Sequence, residues 1–257
     1  MMFIKNYQKK LAMHFIEKFK CRCSHLGIIM SGRTGLTEKQ EETLAFLLEK
    51  PKITEKQGIE LKRLQELKLS NELPEGVKSY CQDYVKSEIY GKKSEFYSKY
   101  ADKGNLVEND SIDFYNPMLS KNTEYKENDY IKGTPDIVLD DCIIDIKSSW
   151  NTITFPLFEK EIPNAHYYWQ LQGYMWLFNK KKPELAYILS NTPEHLLSES
   201  DLENGVGNYD NVPNSFRTRV FYLDYDISSI EKMKERIKLC RIYIKKLCDF
   251  VSVTYLD

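Results

Sequence analysis

At 257 residues the chain can bury a sizeable core as one large domain or as one domain with an appendage. With 42% hydrophobic and 29% charged residues it has a globular composition, and its apolar runs are too short to span a membrane. The net charge of −1 excludes a uniformly basic nucleic-acid binder, so any nucleic-acid surface has to be local.

In chain order, Phe3, Ile4, Tyr7, Leu11, Phe15, Ile16 and Phe19 recur at steps of three and four and predict an amphipathic helix packed on the core. Lys, Gln, His and Glu interrupt its apolar residues, so there is no signal-peptide core. Six cysteines at irregular spacing then read as reduced thiols of a cytoplasmic protein. Cys21-x-Cys23-x-His25 lacks the two-residue gap of zinc pairs, and no second pair lies nearby, so no metal is expected there. Leu36-Thr37-Glu38-Lys39-Gln40 recurs as Ile53-Thr54-Glu55-Lys56-Gln57, each a Thr-x-x-Gln capping box opening a helix. Leu44 and Leu47 correspond to Leu61 and Leu64, and Pro51 separates the copies, so the pair reads as a helical hairpin. A third helix follows Pro74, over Val77–Ser87. These helices are expected to cover one side of a sheet, with Lys50, Lys52 and Lys56 near their ends and within reach of nucleic acid.

Leu106, Val107 and Ile112 predict a helix that starts after Gly104, ends before Asn116-Pro117 and projects Glu108 one turn past the glycine. Asp110 and Asp113 compete with Glu108 for any role on that helix. A short strand is expected over Thr123–Lys126. The centre of the chain is Gly133–Ser149, where Ile137–Leu139 and Cys142–Ile146 flank an Asp140-Asp141 turn and read as a β-hairpin. The period of two puts Asp145 and Lys147 on one face of the second strand. Buried charges of this kind cost several kcal/mol (order of magnitude) unless compensated. A divalent ion held by Asp136 and Asp145 would compensate them, with Lys147 holding a water beside it. The alternative is an Asp145–Lys147 ion pair on the solvent face of an edge hairpin.

Downstream, Tyr167–Phe178 reads as a helix whose Leu171, Tyr174, Met175 and Phe178 form a core face, with Gln170 and Tyr174 neighbours at i,i+4. His166 is expected to be structural. Further strands are expected over Leu185–Ser190 and Arg217–Leu223, a helix over Glu194–Glu203, a loop over Gly205–Ser215, and a long amphipathic helix over Ile227–Val251.

Pro135-Asp136, an apolar strand, a tight turn and then Asp145-x-Lys147 together resemble the PD-(D/E)xK nuclease superfamily. Gly133, three residues before Asp136, fits its RecB-like and phage λ-type (YqaJ-like) exonuclease branches. Gly104-x-x-x-Glu108 before the hairpin and Gln170-x-x-x-Tyr174 after it resemble flanking motifs of the RecB-like nucleases, in the family's order. Arg22-x-Ser24 is similar to the element with which λ-type exonucleases hold a DNA 5′ phosphate. The resemblance implies an α/β fold, a mixed central β-sheet flanked by helices, with a helical portion over residues 1–103 and a nuclease core over 104–257. It implies Mg²⁺ or Mn²⁺ held by Asp136, Asp145, the Ile146 carbonyl and Glu108, with Lys147, Gln170 and Tyr174 completing the catalytic set. The implied function is metal-dependent hydrolysis of DNA by a phage-type recombination or repair exonuclease. A structure- or sequence-specific endonuclease and a catalytically silent DNA-binding scaffold stay open as alternatives. Implied partners are DNA and a single-strand annealing or recombination protein, with a homo-oligomer possible. Some relatives carry an iron–sulfur cluster on closely spaced C-terminal cysteines. Only Cys240 and Cys248 stand there, so no cluster is expected.

Overall fold

A computed structural model of the chain describes residues 15–34, 36, 38–69, 72–92 and 98–255. Its first elements are β1 (Cys21–Arg22), a 3-10 turn (Cys23–His25), α1 (Leu26–Ile29), α2 (Glu38–Glu49), α3 (Glu55–Leu69), α4 (Glu75–Tyr90), α5 (Lys99–Leu106) and α6 (Glu108–Tyr115). There follow β2 (Lys126–Glu127), β3 (Ile131–Gly133), β4 (Ile137–Val138), β5 (Cys142–Ser148), α7 (Ala165–Phe178), β6 (Lys182–Ile188), α8 (Glu199–Glu203), β7 (Thr218–Tyr222) and α9 (Ile227–Tyr255). The fold is mixed α/β, as expected, with two mixed sheets flanked by helices.

The chain divides into two compact units. One takes in the described residues of Met1–Phe19, Ile28–Lys92 and Glu235–Asp257, the other those of Lys20–Gly27 and Lys93–Lys234. Within the first unit, residues 15–18 are helical and Phe15 and Phe19 are buried. Phe3, Ile4, Tyr7 and Leu11 of the expected first helix lie outside the described residues. The α2–α3 hairpin closes on Leu36, Leu44, Leu47 and Leu64, with Leu61 beside them. Thr54 and Gln57 form the capping box: Gln57 N–H donates to Thr54 Oγ1 at 3.3 Å and Thr54 N–H to Gln57 Oε1 at 3.1 Å. Its partner copy at Thr37 lies outside the described residues. Buried Arg236 on α9 donates to the carbonyls of Ile29, Ser31 and Gly32, which satisfies a charge that burial alone would penalise.

Within the second unit a four-stranded sheet runs in the order β4-β5-β6-β7, with β5 and β6 parallel and both edges antiparallel. A smaller sheet has the order β1-β3-β2, with β1 parallel to β3. The alternation of β5 decides the layers. Cys142, Ile144 and Ile146 join Ile112, Ile137, Ala186 and Ile188 in one cluster under α6. On the other face Leu171 of α7 packs with Leu185, Tyr187 and Phe221. Asp145 and Lys147 share that second face with α7.

Several boundaries differ from the sequence reading, and β6 begins at Lys182, three residues before the expected Leu185. Helix formation begins at Lys99, upstream of Gly104, and the chain breaks at Val107 so that Glu108 opens a second helix. The strand expected over Thr123–Lys126 is confined to Lys126–Glu127. Asn122 diverts the preceding backbone, accepting from Glu124 N–H at 3.0 Å and donating to the Pro135 carbonyl at 3.0 Å. The helix over Glu194–Glu203 is split into a 3-10 turn (Glu194–Leu196) and α8, because Ser198 starts a new helix with its own capping box.

Candidate active site

The β4–β5 hairpin closes through Leu139 N–H to the Cys142 carbonyl at 2.9 Å, and its register pairs Ile137 with Ile144. Asp136 therefore stands opposite Asp145, one step beyond the last strand pair. Asp136 Oδ2 accepts from Ile146 N–H at 2.7 Å, which fixes the first carboxylate to the strand bearing the second. Asp145 is 1% exposed. Its Oδ1 accepts from Gln170 Nε2 at 3.0 Å, and Gln170 also reaches Tyr174 Oη at 3.4 Å, so the two α7 residues contact each other and the carboxylate. Lys147 Nζ lies 2.6 Å from Asp145 Oδ2 and forms an ion pair with it.

Burial first, and the Asp145 charge second, push the Asp136 carboxyl up to about 7; Lys147 and the Ile146 N–H pull against them, and Glu108 adds to the rise. Burial alone would lower the Lys147 pKa, but Asp145 and Asp136 outweigh it and hold the ammonium above its usual value. The Tyr174 phenol is raised, by burial and then by Asp145. The site is thus a pair of crowded carboxylates with one lysine between them and bulk solvent.

Glu108 stands apart from that pair. It is ion-paired with Lys121, and it reaches Asp136 only through its charge. Its helix is held to the sheet by Ser111, whose hydroxyl meets Ser148 Oγ at 2.9 Å and Ser190 Oγ at 2.5 Å. Asp110 and Asp113 are exposed. Among the described residues no group of three His, Cys, Asp or Glu side chains is gathered closely enough for a metal. Two carboxylates still fit Mg²⁺, which keeps several waters and is commonly held by one or two carboxylates plus substrate phosphate. The crowding of Asp145 and Asp136, which raises the Asp136 pKa with one ammonium to offset both, fits a divalent cation at this point.

Arg22 and Ser24 are exposed and flank Cys23, which is fully buried. Cys23 and Leu26 crowd Gly173 of α7, and Cys23 also lies against Gly133; a methyl group at Gly173 would collide with Leu26 and one at Gly133 with the Tyr174 ring. The Asp145 charge acts on the Cys23 thiol, which burial raises first. Folding therefore carries the Arg22–Ser24 segment, distant in sequence, to the α7 side of the hairpin. His166 is exposed, and its Cα and Cβ cover Gly27.

Two neighbours of the site were not singled out from the sequence. Lys147 Nζ sits 4.9 Å from the centre of the Tyr167 ring. Tyr167, Gln170 and Tyr174 share one helical face at i, i+3 and i+7, a signal the aromatic run concealed. Lys103 is fully buried and donates to the carbonyls of Ser149 at 2.7 Å, Trp150 at 3.1 Å and Ser190 at 2.8 Å. Nothing local announces a lysine that ties off the ends of β5 and β6.

No protein-family model and no curated protein sequence matches the chain. Among solved structures, a phage-related exonuclease from Haemophilus somnus 129PT is 26% identical, with a TM-score of 0.68 over 91% of this chain and 96% of its own. An alkaline exonuclease (LHK-Exo) from Laribacter hongkongensis has the same fold at 11% identity, with a TM-score of 0.58 over 92% of this chain and 93% of its own. It has also been solved in complex with dAMP. A Pro-Asp…Asp-x-Lys hairpin packed on a Gln-x-x-x-Tyr helix, within a fold shared over nearly its whole length with a phage-related exonuclease, is consistent with the phage-exonuclease branch of the PD-(D/E)xK nuclease superfamily.

Proposed function

We propose that the chain is a divalent-metal-dependent deoxyribonuclease that degrades DNA from an end, as a phage-type recombination or repair exonuclease. The observation that carries this reading is the pair of crowded carboxylates Asp136 and Asp145 with one ammonium, that of Lys147, to offset them, in a fold shared with exonucleases. Asp136 and Asp145 would hold Mg²⁺ or Mn²⁺ together with the Ile146 carbonyl, and Glu108 would join them on leaving Lys121. When bound, such an ion lowers the pKa of a water and screens the charge of the phosphate.

The chain's own residues supply the rest. Ile146 N–H and Gln170 Nε2 each take one oxygen of a carboxylate and so fix which oxygens face the ion. Lys147, kept charged by its two neighbours, orients the attacking water by donating to it and opposes negative charge building on the phosphate. Tyr167 and Tyr174 wall the ammonium and the amide from water, which strengthens both contacts. Arg22 and Ser24 would grip a terminal 5′ phosphate, the guanidinium by a forked, charge-assisted contact and the hydroxyl by one hydrogen bond. A single-strand annealing or recombination protein, a homo-oligomer and a cytoplasmic site of action belong to the same proposal.

The test compares end-labelled linear duplex with covalently closed circular duplex of the same sequence, with Mg²⁺ and with EDTA. Loss of the linear substrate alone, stopped by EDTA, is the expected result. Cutting of the closed circle would make the protein an endonuclease, and full activity in EDTA would end the metal assignment.

A further inference from the structure

Beyond the carboxylate site, the end of β5 leads straight into an aromatic pair that neither core cluster of its unit contains. Tyr100 is 58% exposed, and its ring centre lies 5.1 Å from that of half-buried Trp150, with the planes at 74°. The exposed Lys99 sets its ammonium 4.8 Å from the Trp150 ring centre and 5.7 Å from that of Tyr100. A large exposed ring backed by a second ring, with a cation at its margin, is unusual cover for a protein surface. It is what a nucleotide needs: a π-face for the base and a positive charge for its phosphate.

The patch is also held rigid. Lys103 gathers the Ser149, Trp150 and Ser190 carbonyls, and Thr192 Oγ1 donates to the Trp150 carbonyl at 3.3 Å, so two donors fix the backbone beneath the indole. Preset rings lose little freedom on binding. Trp150 is three residues past Lys147, so their Cα atoms are separated by at most about 11 Å. A strand with its phosphate at Lys147 would bring a nearby base to this patch.

We propose that Tyr100, Trp150 and Lys99 form a stacking subsite for a nucleobase of the DNA strand being digested. The subsite rests on the nuclease reading above. Asp201 acts electrostatically on Lys99, but the ammonium remains exposed over the rings and available to a phosphate.

The test is equilibrium binding of a fluorescent single-stranded oligodeoxynucleotide to the full chain, with Ca²⁺ replacing Mg²⁺ to limit hydrolysis. Tyr100→Ala should weaken binding roughly tenfold, the effect of losing one base stack, whereas Tyr100→Phe should stay within about twofold of wild type. An abasic oligonucleotide of equal length should bind wild type more weakly, and Tyr100→Ala should weaken it no further. Lys99→Ala should lessen the salt dependence by about one phosphate contact. Binding should quench tryptophan emission in wild type but much less in Trp150→Phe, a readout that needs no loss of affinity. Tyr100 is exposed, so thermal melting should show its variants folded. Equal affinity of wild type and Tyr100→Ala for the base-bearing oligonucleotide, with wild type still degrading DNA, would overturn the subsite alone. Absence of any DNA binding or degradation by wild type would overturn the subsite and the nuclease reading together. A patch that serves a protein partner would give the first of these outcomes.

Discussion

Asp145 cannot relieve its charge by hydration, because it is 1% exposed, and one ammonium, that of Lys147, offsets both it and Asp136. That geometry separates two accounts of Lys147. As a catalytic group, Lys147→Ala should cost at least about a hundredfold in rate while metal-dependent DNA binding is nearly kept. As a mere ion pair, it would keep its activity, and on either account the buried Asp145 left without its cation should lower stability by about 3–5 kcal/mol. Single-turnover hydrolysis beside a binding isotherm decides. Asp136 makes a second prediction. Its folded pKa of about 7 is raised above the ordinary 3.8, so its contribution to stability is fully present below about 3.8 and is lost as pH rises through about 7. Metal-free wild type should therefore lose melting temperature between about pH 4 and about pH 7 relative to Asp136→Asn. Mg²⁺ at the upper pH should restore it. A wild type that gains on Asp136→Asn over that range would refute the crowded-carboxylate picture.

At the scale of elements, the site depends on how closely α7 and the β1 turn approach, and on how the ends of β5 and β6 are tied. Gly173→Ala would drive a methyl into Leu26 and Cys23, so it should cost roughly 1–3 kcal/mol in denaturant unfolding. Gly104→Ala is the contrast. Its added methyl meets open space in the middle of α5, and it should stabilise by roughly 0.5–1 kcal/mol. Equal effects at the two glycines would contradict the packing described. Lys103 is the other tie. Burial pulls its pKa down to about 8, while three carbonyls that accept only from a donor favour the charged form at neutral pH. Lys103→Met should leave those carbonyls unpaired and lower stability by about 2–4 kcal/mol, read as a lower urea midpoint with an unchanged slope.

For the molecule as a whole, the proposal that Arg22 and Ser24 select the DNA end concerns residues that share a unit with the hairpin. Linear duplexes that differ only in a 5′ phosphate should be degraded at different rates by wild type, the phosphorylated one faster. Arg22→Ala should erase the difference while hydrolysis at the carboxylates survives. Equal wild-type rates would leave Arg22 a surface charge and remove the 5′-to-3′ assignment. A bound ion acts on the folded state alone, so Mg²⁺ should raise the melting temperature of wild type and not of Asp145→Asn.

The hairpin, its Asp136–Asp145–Lys147 set and the Gln170–Tyr174 pair were legible in the sequence because each depends on local periodicity, two in a strand and about 3.6 in a helix. The leucines of the α2–α3 hairpin and the Thr54 capping box were legible for the same reason. What the sequence left open was every feature made by distant segments meeting. The partition of the chain between its two units, the passage of β1 into the small sheet, and the approach of Cys23 and Leu26 to Gly173 are of this kind. So are the capture of three carbonyls by Lys103 and the turn of Glu108 to Lys121. Periodicity fixes which face of an element is apolar, but not which other element will cover it. Only tertiary packing sets how buried a charge becomes and which partner it finds, and at Asp136 and Asp145 it crowds two ordinary carboxylates together with one ammonium to offset them.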